Sequence, residues 1–322
     1  MRRGSLEFWP HRRAKRQLPR IRSWPKIAEP LLLGLVAYKV GMTHVGMIDD
    51  SESPSKGSEV VRAVTVLEVP KIYLYGARLY KKEEYKEPAI EFYSKELARR
   101  VGVKNIKNTA EKLEEVKKDL SKYIDITALL FADPSNLGFG KKKIARFEVP
   151  IGGDSLEKKL EFIMQNMGKE IKAKDVLKDG EYIDVTSITK GKGWAGVIKR
   201  FGVARQIRKA TGKVRHVGTL GPWHPPKVLY TVPHAGHMGY NYRTELNKRV
   251  LKLGSPEEAK TVNVKGGFLN YGIVKNEFII VDGSVPGPAK RLVRIRKALR
   301  AKVKEQKEPK LTYISTASKQ GA

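Results

Sequence analysis

Between Asp184 and Glu245 the chain carries no carboxylate, yet it holds Lys190, Lys192, Lys199, Arg200, Arg205, Arg208, Lys209, Lys213, Arg215, Lys227 and Arg243. A folded surface ordinarily mixes both signs of charge to limit self-repulsion, so a segment this long and one-sided needs an external polyanion to neutralise it. Nucleic acid phosphate meets that need. With no clear helical or strand period over much of its length, the segment reads as extension and loop packed on a partner.

The whole chain shares the bias, with 64 Lys and Arg against 34 Asp and Glu and a net charge of +30 over 322 residues. Phosphate contacts supply affinity and register but read no bases. Basic charge also suits membranes, but no apolar run nears the roughly 20 residues of a spanning helix, and the longest obvious one, Leu31 to Ala37, contains Gly34. Counting the 29 Gly in place of the 13 Tyr turns the apolar share of 40% into roughly 45%, the low edge of globular usage, so a real core is expected. Length suggests about two domains' worth of chain. The absence of Cys excludes disulfides and thiolate metal sites and is compatible with a reducing, intracellular location.

Residues 1–30 read as a basic N-terminal extension: Arg2, Arg3, Arg12, Arg13, Lys15, Arg16, Arg20, Arg22 and Lys26 are interrupted by Pro10, Pro19, Pro25 and Pro30, which forbid a continuous helix. Trp9, Trp24 and the prolines suit the amphipathic helix of a presequence poorly, and ordering on RNA is the expectation. Strand character follows in Leu31–Val40 and Val60–Val69, with Asp49–Gly57 as the loop between them. From about Tyr73 to Lys174 acids return and helical spacing appears, as in an inserted α/β subdomain. There Asn108 is expected to cap a helix with Glu111 at its third position, a stripe of Leu113, Val116 and Leu120, and Glu114 paired with Lys118. A second helix is expected from Ser155 to Met167, capped by Asp154, striped by Leu156, Leu160, Ile163 and Met167, and ended by Gly168. Both stripes read as core. Ile124–Ala132, Ile144–Ile151 and Glu181–Thr189 read as strands, Phe268–Val281 has strand texture with Tyr271-Gly272 and Lys275-Asn276 as turn residues, and Lys290–Arg300 is a basic helix or an edge strand, the alternation of Val293 and Ile295 with Arg294 and Arg296 favouring the strand. Strands on both sides of the insertion imply one closed β unit.

Gly191-Lys192-Gly193-Trp194-Ala195-Gly196 fits the G-x-G-x-x-G pattern that admits a dinucleotide pyrophosphate to a helix N-terminus. The sequence after it breaks at Gly202 before a convincing helix forms, and no acid follows about 20 residues on to hold a ribose. The other use of Gly191, Gly193 and Gly196 is close approach of backbone amides to RNA phosphate, with Lys190, Lys192, Lys199 and Arg200 as counter-charges; a plain tight turn competes with it. His216, His224, His234 and His237 lack a Cys or carboxylate to complete a metal set and sit in positive surroundings, so they read as partners for bases and riboses. A hydrolase lacks its parts, because there is no G-x-S-x-G turn and the basic region offers no acid to orient a His. In Gly221-Pro222-Trp223-His224-Pro225-Pro226, Trp223 is either an exposed tip that stacks on nucleotides, worth roughly 1 to 3 kcal/mol per base, or an indole folded back into a local cluster.

Leu177, Asp184, Ser187, Thr189, Gly191-Lys192-Gly193, Gly196 and Arg200 resemble, in type and spacing, the signature of the universal large-subunit ribosomal protein L-three family. The likeness extends through Trp223-His224-Pro225, Ala235-Gly236-His237-Met238-Gly239-Tyr240 with Arg243-Thr244, Gly266-Gly267-Phe268 with Tyr271-Gly272, Val285-Pro286-Gly287, and Tyr38 to His44. The insertion before Lys174 and the residues around Trp223 resemble the archaeal and eukaryotic branch, and a Lys-, Glu- and Arg-rich chain without Cys suits a heat-loving archaeon. The resemblance implies a mainly β fold with an α/β insertion. Its parts are a six-stranded translation-protein-type β-barrel over 31–72 and 175–300, the insertion over 73–174, a basic central finger over 190–250 tipped by Trp223, and a tail over 301–322 shorter than in eukaryotic members.

It further implies a structural constituent of the cytoplasmic large ribosomal subunit, not an enzyme, with no cofactor, metal, membrane or homo-oligomer. Such a protein binds 23S-type rRNA, supports early assembly, shapes the A-site side of the peptidyl-transferase centre, and neighbours ribosomal proteins L-fourteen and L-twenty-four-e. The residues expected on rRNA are Arg2, Arg3, Arg12, Arg13, Arg16, Lys190, Lys192, Lys199, Arg200, Arg205, Arg208, Lys209, Lys213, Arg215, His216, Trp223, His224, Lys227, His237 and Arg243, with Gly191, Gly193 and Gly196 offering backbone. The alternative is a nucleotide-dependent enzyme using Gly191 to Gly196.

Overall fold

The computed structural model describes residues 3–81, 88–103, 109–118, 120–210, 212–301 and 307–320. Arg2 and Asn108 lie outside the described residues, as does the side chain of Glu111. The chain divides into two compact units, Met1–Gln17 with Ile188–Arg243, and Leu18–Ser187 with Thr244–Ala322.

In chain order, β1 (Gly34–Ile48) and β2 (Glu59–Glu68) come first. The next stretch holds β3 (Lys71–Lys81), β4 (Pro88–Tyr93), α1 (Lys95–Val101), α2 (Thr109–Lys118), β5 (Tyr123–Asp133), β6 (Ala145–Pro150), α3 (Leu156–Asn166), β7 (Glu170–Ile171) and α4 (Ala173–Val176). Then follow β8 (Tyr182–Ile188), β9 (Gly191–Ala195), α5 (Val197–Phe201), β10 (Gly236–Gly239), β11 (Tyr242–Gly254) and α6 (Ala259–Val262). The last strands are β12 (Phe278–Asp282), β13 (Leu292–Lys297) and β14 (Leu311–Ile314).

In the larger unit β1 pairs with β2, β2 with β12, β12 with β11, β11 with β8, β8 with β13, and β13 returns to β1, so six strands close a barrel. Closure leaves those strands no unpaired edge, and β14 adds outside the ring along β1. The β-branched texture of the sequence is buried on both faces of the ring: Val36, Val40, Val45, Val64, Val66, Ile280, Val293 and Ile295 are all fully buried.

The segment expected as an edge strand is instead the closing one. Leu292–Lys297 pairs antiparallel with β1 on one side and with β8 on the other. The alternation of Arg with Val and Ile is real, but Arg294 and Arg296 are each only 6% exposed. Residues 18–30 account for this. Arg294 donates to Pro19 O (3.3 Å) and Glu148 O (2.6 Å) and stands over the Trp24 ring, while Arg296 donates to Ser23 O and to Asp184 Oδ2 through two nitrogens (3.0 and 2.9 Å). Asp184, 1% exposed, also accepts from the backbone of Asn247 (3.0 Å) and Leu299 (3.3 Å), so the buried charges have their hydrogen bonds made.

The insertion forms a second sheet, ordered β4-β3-β5-β6 with β7 on β3. Val116 of α2 is buried and Leu113 and Leu120 pack on the core, as their spacing requires. In α3 Leu160 and Ile163 are buried, and Leu156 and Met167 pack beside them. Its cap is Ser155, whose hydroxyl accepts from Lys158 N (3.4 Å), and not Asp154; the extended Ser155 directly precedes the first helical residue, where a side-chain oxygen reaches the free amides. Only Phe278–Asp282 of the segment Phe268–Val281 is a strand. The rest is a loop organised by the fully buried Glu68 carboxylate, which accepts from Tyr271 OH (2.5 Å) and from Lys275 N, Asn276 N and Asn276 Nδ2 (each 2.9 Å).

Candidate nucleic-acid interface

The smaller unit is built on a two-stranded ribbon of β9 and β10, in register Gly236↔Ala195, His237↔Trp194 and Gly239↔Gly191. α5 is a single turn ended by Gly202 in the left-handed region (φ 65). The described residues of 203–235 include no helix or strand, and only Val232 and Pro233 among them are buried.

Arg200 ties these pieces together. Its Nε donates to His237 O (3.1 Å), Nη1 to His234 O (2.9 Å) and Nη2 to His11 O (3.1 Å). A guanidinium carries five N–H donors in one plane, so a single side chain links α5, β10 and the N-terminal segment. Gly236 makes room for it, since a Cβ there would stand 2.8 Å from the guanidinium. Around this clamp His11 stacks on Phe201 (4.9 Å), Trp9 stacks on Phe201 (5.2 Å), and Arg243 lies over the Phe8 ring (4.5 Å). The N-terminal segment is also held through its backbone, Ala14 N donating to Tyr240 O (2.8 Å). Burial pushes the His11 imidazole below its ordinary pKa, and the positive charges of Arg200 and Arg243 push the same way. Burial lowers both guanidiniums as well.

Of the residues expected on RNA, Arg12, Arg13, Arg16, Lys190, Lys192, Lys199, Arg205, Arg208, Lys209, Lys213, Arg215, His216, Trp223, His224, Lys227 and His237 are exposed. Arg3, Arg200 and Arg243 are half-buried. Trp223 is 88% exposed, which removes the reading in which it folds back. The unit holds seventeen Lys and Arg and a single acid, Glu7, so 73 residues carry +16 of the +30. Among the described residues none of these cations is in an ion pair, whereas the larger unit pairs Arg78, Arg249, Arg296 and Lys297 with carboxylates. Basic clefts line the ribbon. One of about 300 Å³ is lined by Lys190, Lys192, Arg200, Asn241 and Arg243, and one of about 490 Å³ by Arg13, Lys15, Gly191, Gly193, His237 and Tyr240.

The glycine pattern makes no dinucleotide cradle: Gly191–Ala195 is a strand, and the five-residue α5 is too short to present a helix N-terminus to a pyrophosphate. Gly193 requires its type at φ 66, but Gly196 does not (φ −70), and a Cβ at Gly196 would meet nothing within 4 Å. Its backbone faces open space. Among the described residues no three His, Asp or Glu stand close enough to hold a metal.

Trp194, a spacer position in the glycine pattern, is a further exposed aromatic of the unit. It is 71% exposed and lies across the ribbon from His237, with ring centroids 5.4 Å apart. Its signal in the sequence is an aromatic residue between glycines in a basic segment.

A family model, Ribosomal protein L3, matches residues 1–321. The chain is 44% identical to large ribosomal subunit protein uL3 of Methanobrevibacter smithii over 99% of this chain and 98% of that protein. It is 42% identical to uL3 of Methanothermobacter thermautotrophicus, with the same coverage, and 42% identical to uL3 of Methanocaldococcus jannaschii, over 99% of this chain and 97% of that protein. With a match of that length on top of the barrel and the acid-poor unit, the chain belongs to the ribosomal protein L3 family, structural components of the ribosome and not enzymes.

Proposed function

We propose that this chain is a structural constituent of the cytoplasmic large ribosomal subunit and that its smaller unit binds 23S-type rRNA. The observation that carries this reading is the concentration of seventeen mutually repelling cations, opposed by Glu7 alone, on 73 residues, every one of them that is described being exposed or half-exposed. Lys and Arg there neutralise phosphate and release its counterions, which supplies affinity without reading sequence. The open backbone at Gly196 adds amide donors, and the exposed Trp223 supplies a surface on which a base stacks. The protein enters the subunit early, with Trp223 as the tip that shapes the A-site side of the peptidyl-transferase centre. Ribosomal proteins L-fourteen and L-twenty-four-e are its neighbours.

Crosslinking in intact large subunits, mapped to nucleotide and residue, tests this. The expected result is rRNA crosslinks concentrated in residues 3–16 and 190–243. Crosslinks confined to the barrel strands would contradict it.

A further inference from the structure

We propose that Trp194 and His237 form a stacking platform for one unpaired RNA base, distinct from Trp223; the proposal rests on the RNA reading above. The register sets His237 opposite Trp194, beside a bulge in which Gly193 takes a left-handed conformation (φ 66). The two rings meet edge to face, 5.4 Å apart at 79°. That contact fixes the indole by its neighbour while 71% of Trp194 stays open to solvent.

In the adjoining pair of the ribbon Ala195 is buried and the Arg200 guanidinium lies against Gly236, so the packed part of the ribbon does not include the indole. The indole is therefore not required to fill a core, and a side chain that large left exposed on a short ribbon is suited to a ligand.

The ligand's chemistry follows from the rim. Lys190 and Lys192 are exposed, Arg13 and Lys15 line the adjoining cleft with His237, and no carboxylate of the unit other than Glu7 is available to oppose them. An anion with a flat π-face satisfies both features, a nucleotide whose phosphate meets the lysines while its base lies on the indole. A duplex keeps its bases stacked inside, so the occupant is an unpaired nucleotide.

The test uses the full chain carrying Trp223→Ala, which removes the other exposed indole. Two probes of equal length are compared, single-stranded oligoadenylate and the same strand made abasic. Tighter binding of the oligoadenylate is expected, with Trp194→Ala removing about tenfold of its affinity and Trp194→Phe retaining most of it. The abasic strand, which reports phosphate alone, is expected to lose less than about twofold on Trp194→Ala. An unchanged oligoadenylate preference in Trp194→Ala, with folding verified by circular dichroism, overturns the platform and leaves the RNA reading standing; it is also the outcome if a protein side chain occupies the indole instead. Failure of both probes to bind overturns the RNA reading, and the platform with it.

Discussion

Arg200 presents its guanidinium to three backbone carbonyls of the small unit, and a lysine in its place has no planar fork to reach all three. Arg200→Lys is therefore expected to free the N-terminal segment, and trypsin should cleave after Arg12, Arg13 and Arg16 several-fold faster than in the parent; an unchanged rate would remove Arg200 as the clamp. His11 adds a pH dependence. Its pKa is lowered in the docked segment, so docking favours the neutral ring: the contribution is complete above the free value of about 6.5 and declines as pH falls below it. Protection of the segment from exchange should fall as pH drops below about 6.5, and His11→Phe should flatten that dependence. None of this was legible from composition. The three carbonyls lie 34, 37 and 189 residues from Arg200, and only the fold brings them to it.

The elements were more legible where apolar periodicity dominates than where polar groups decide. The strand at Val60–Val69 could be read from its β-branched residues, and the stripe Leu156, Leu160 and Ile163 from its helical period. β13 could not. Its alternating arginines suggested a solvent face, and only the crossing of residues 18–30 and the partner Asp184 bury them. Breaking that pair should be costly: Asp184→Ala leaves the Arg296 charge buried and is expected to destabilise the protein by about 3 to 5 kcal/mol in chemical denaturation. A loss under about 1 kcal/mol would mean that water reaches the site. The exposed loop is the opposite case. Trp223→Ala should change stability by less than about 0.5 kcal/mol, since the indole is 88% exposed, while slowing subunit assembly or altering A-site behaviour. A clear fall in thermal midpoint on that substitution would contradict an exposed tip.

At the scale of the molecule, charge and core are segregated. The larger unit carries +14 over 249 residues, closes six strands into a barrel and pairs many of its charges, whereas the smaller carries +16 over 73 residues and pairs none among the described ones. The acid-free run in the sequence located that segregation, because the absence of carboxylates needs no knowledge of the fold. A closed β unit was already implied by strands on both sides of the insertion, but that β13 closes it by meeting β1 could not be read from charge or period. The central claim, that phosphate supplies the missing counter-charge, is tested most directly by the salt dependence of affinity for a large-subunit rRNA fragment. If about half of the seventeen cations neutralise a phosphate each, log K should fall against log salt with a slope of about −6 to −8, and a flat line would contradict the claim.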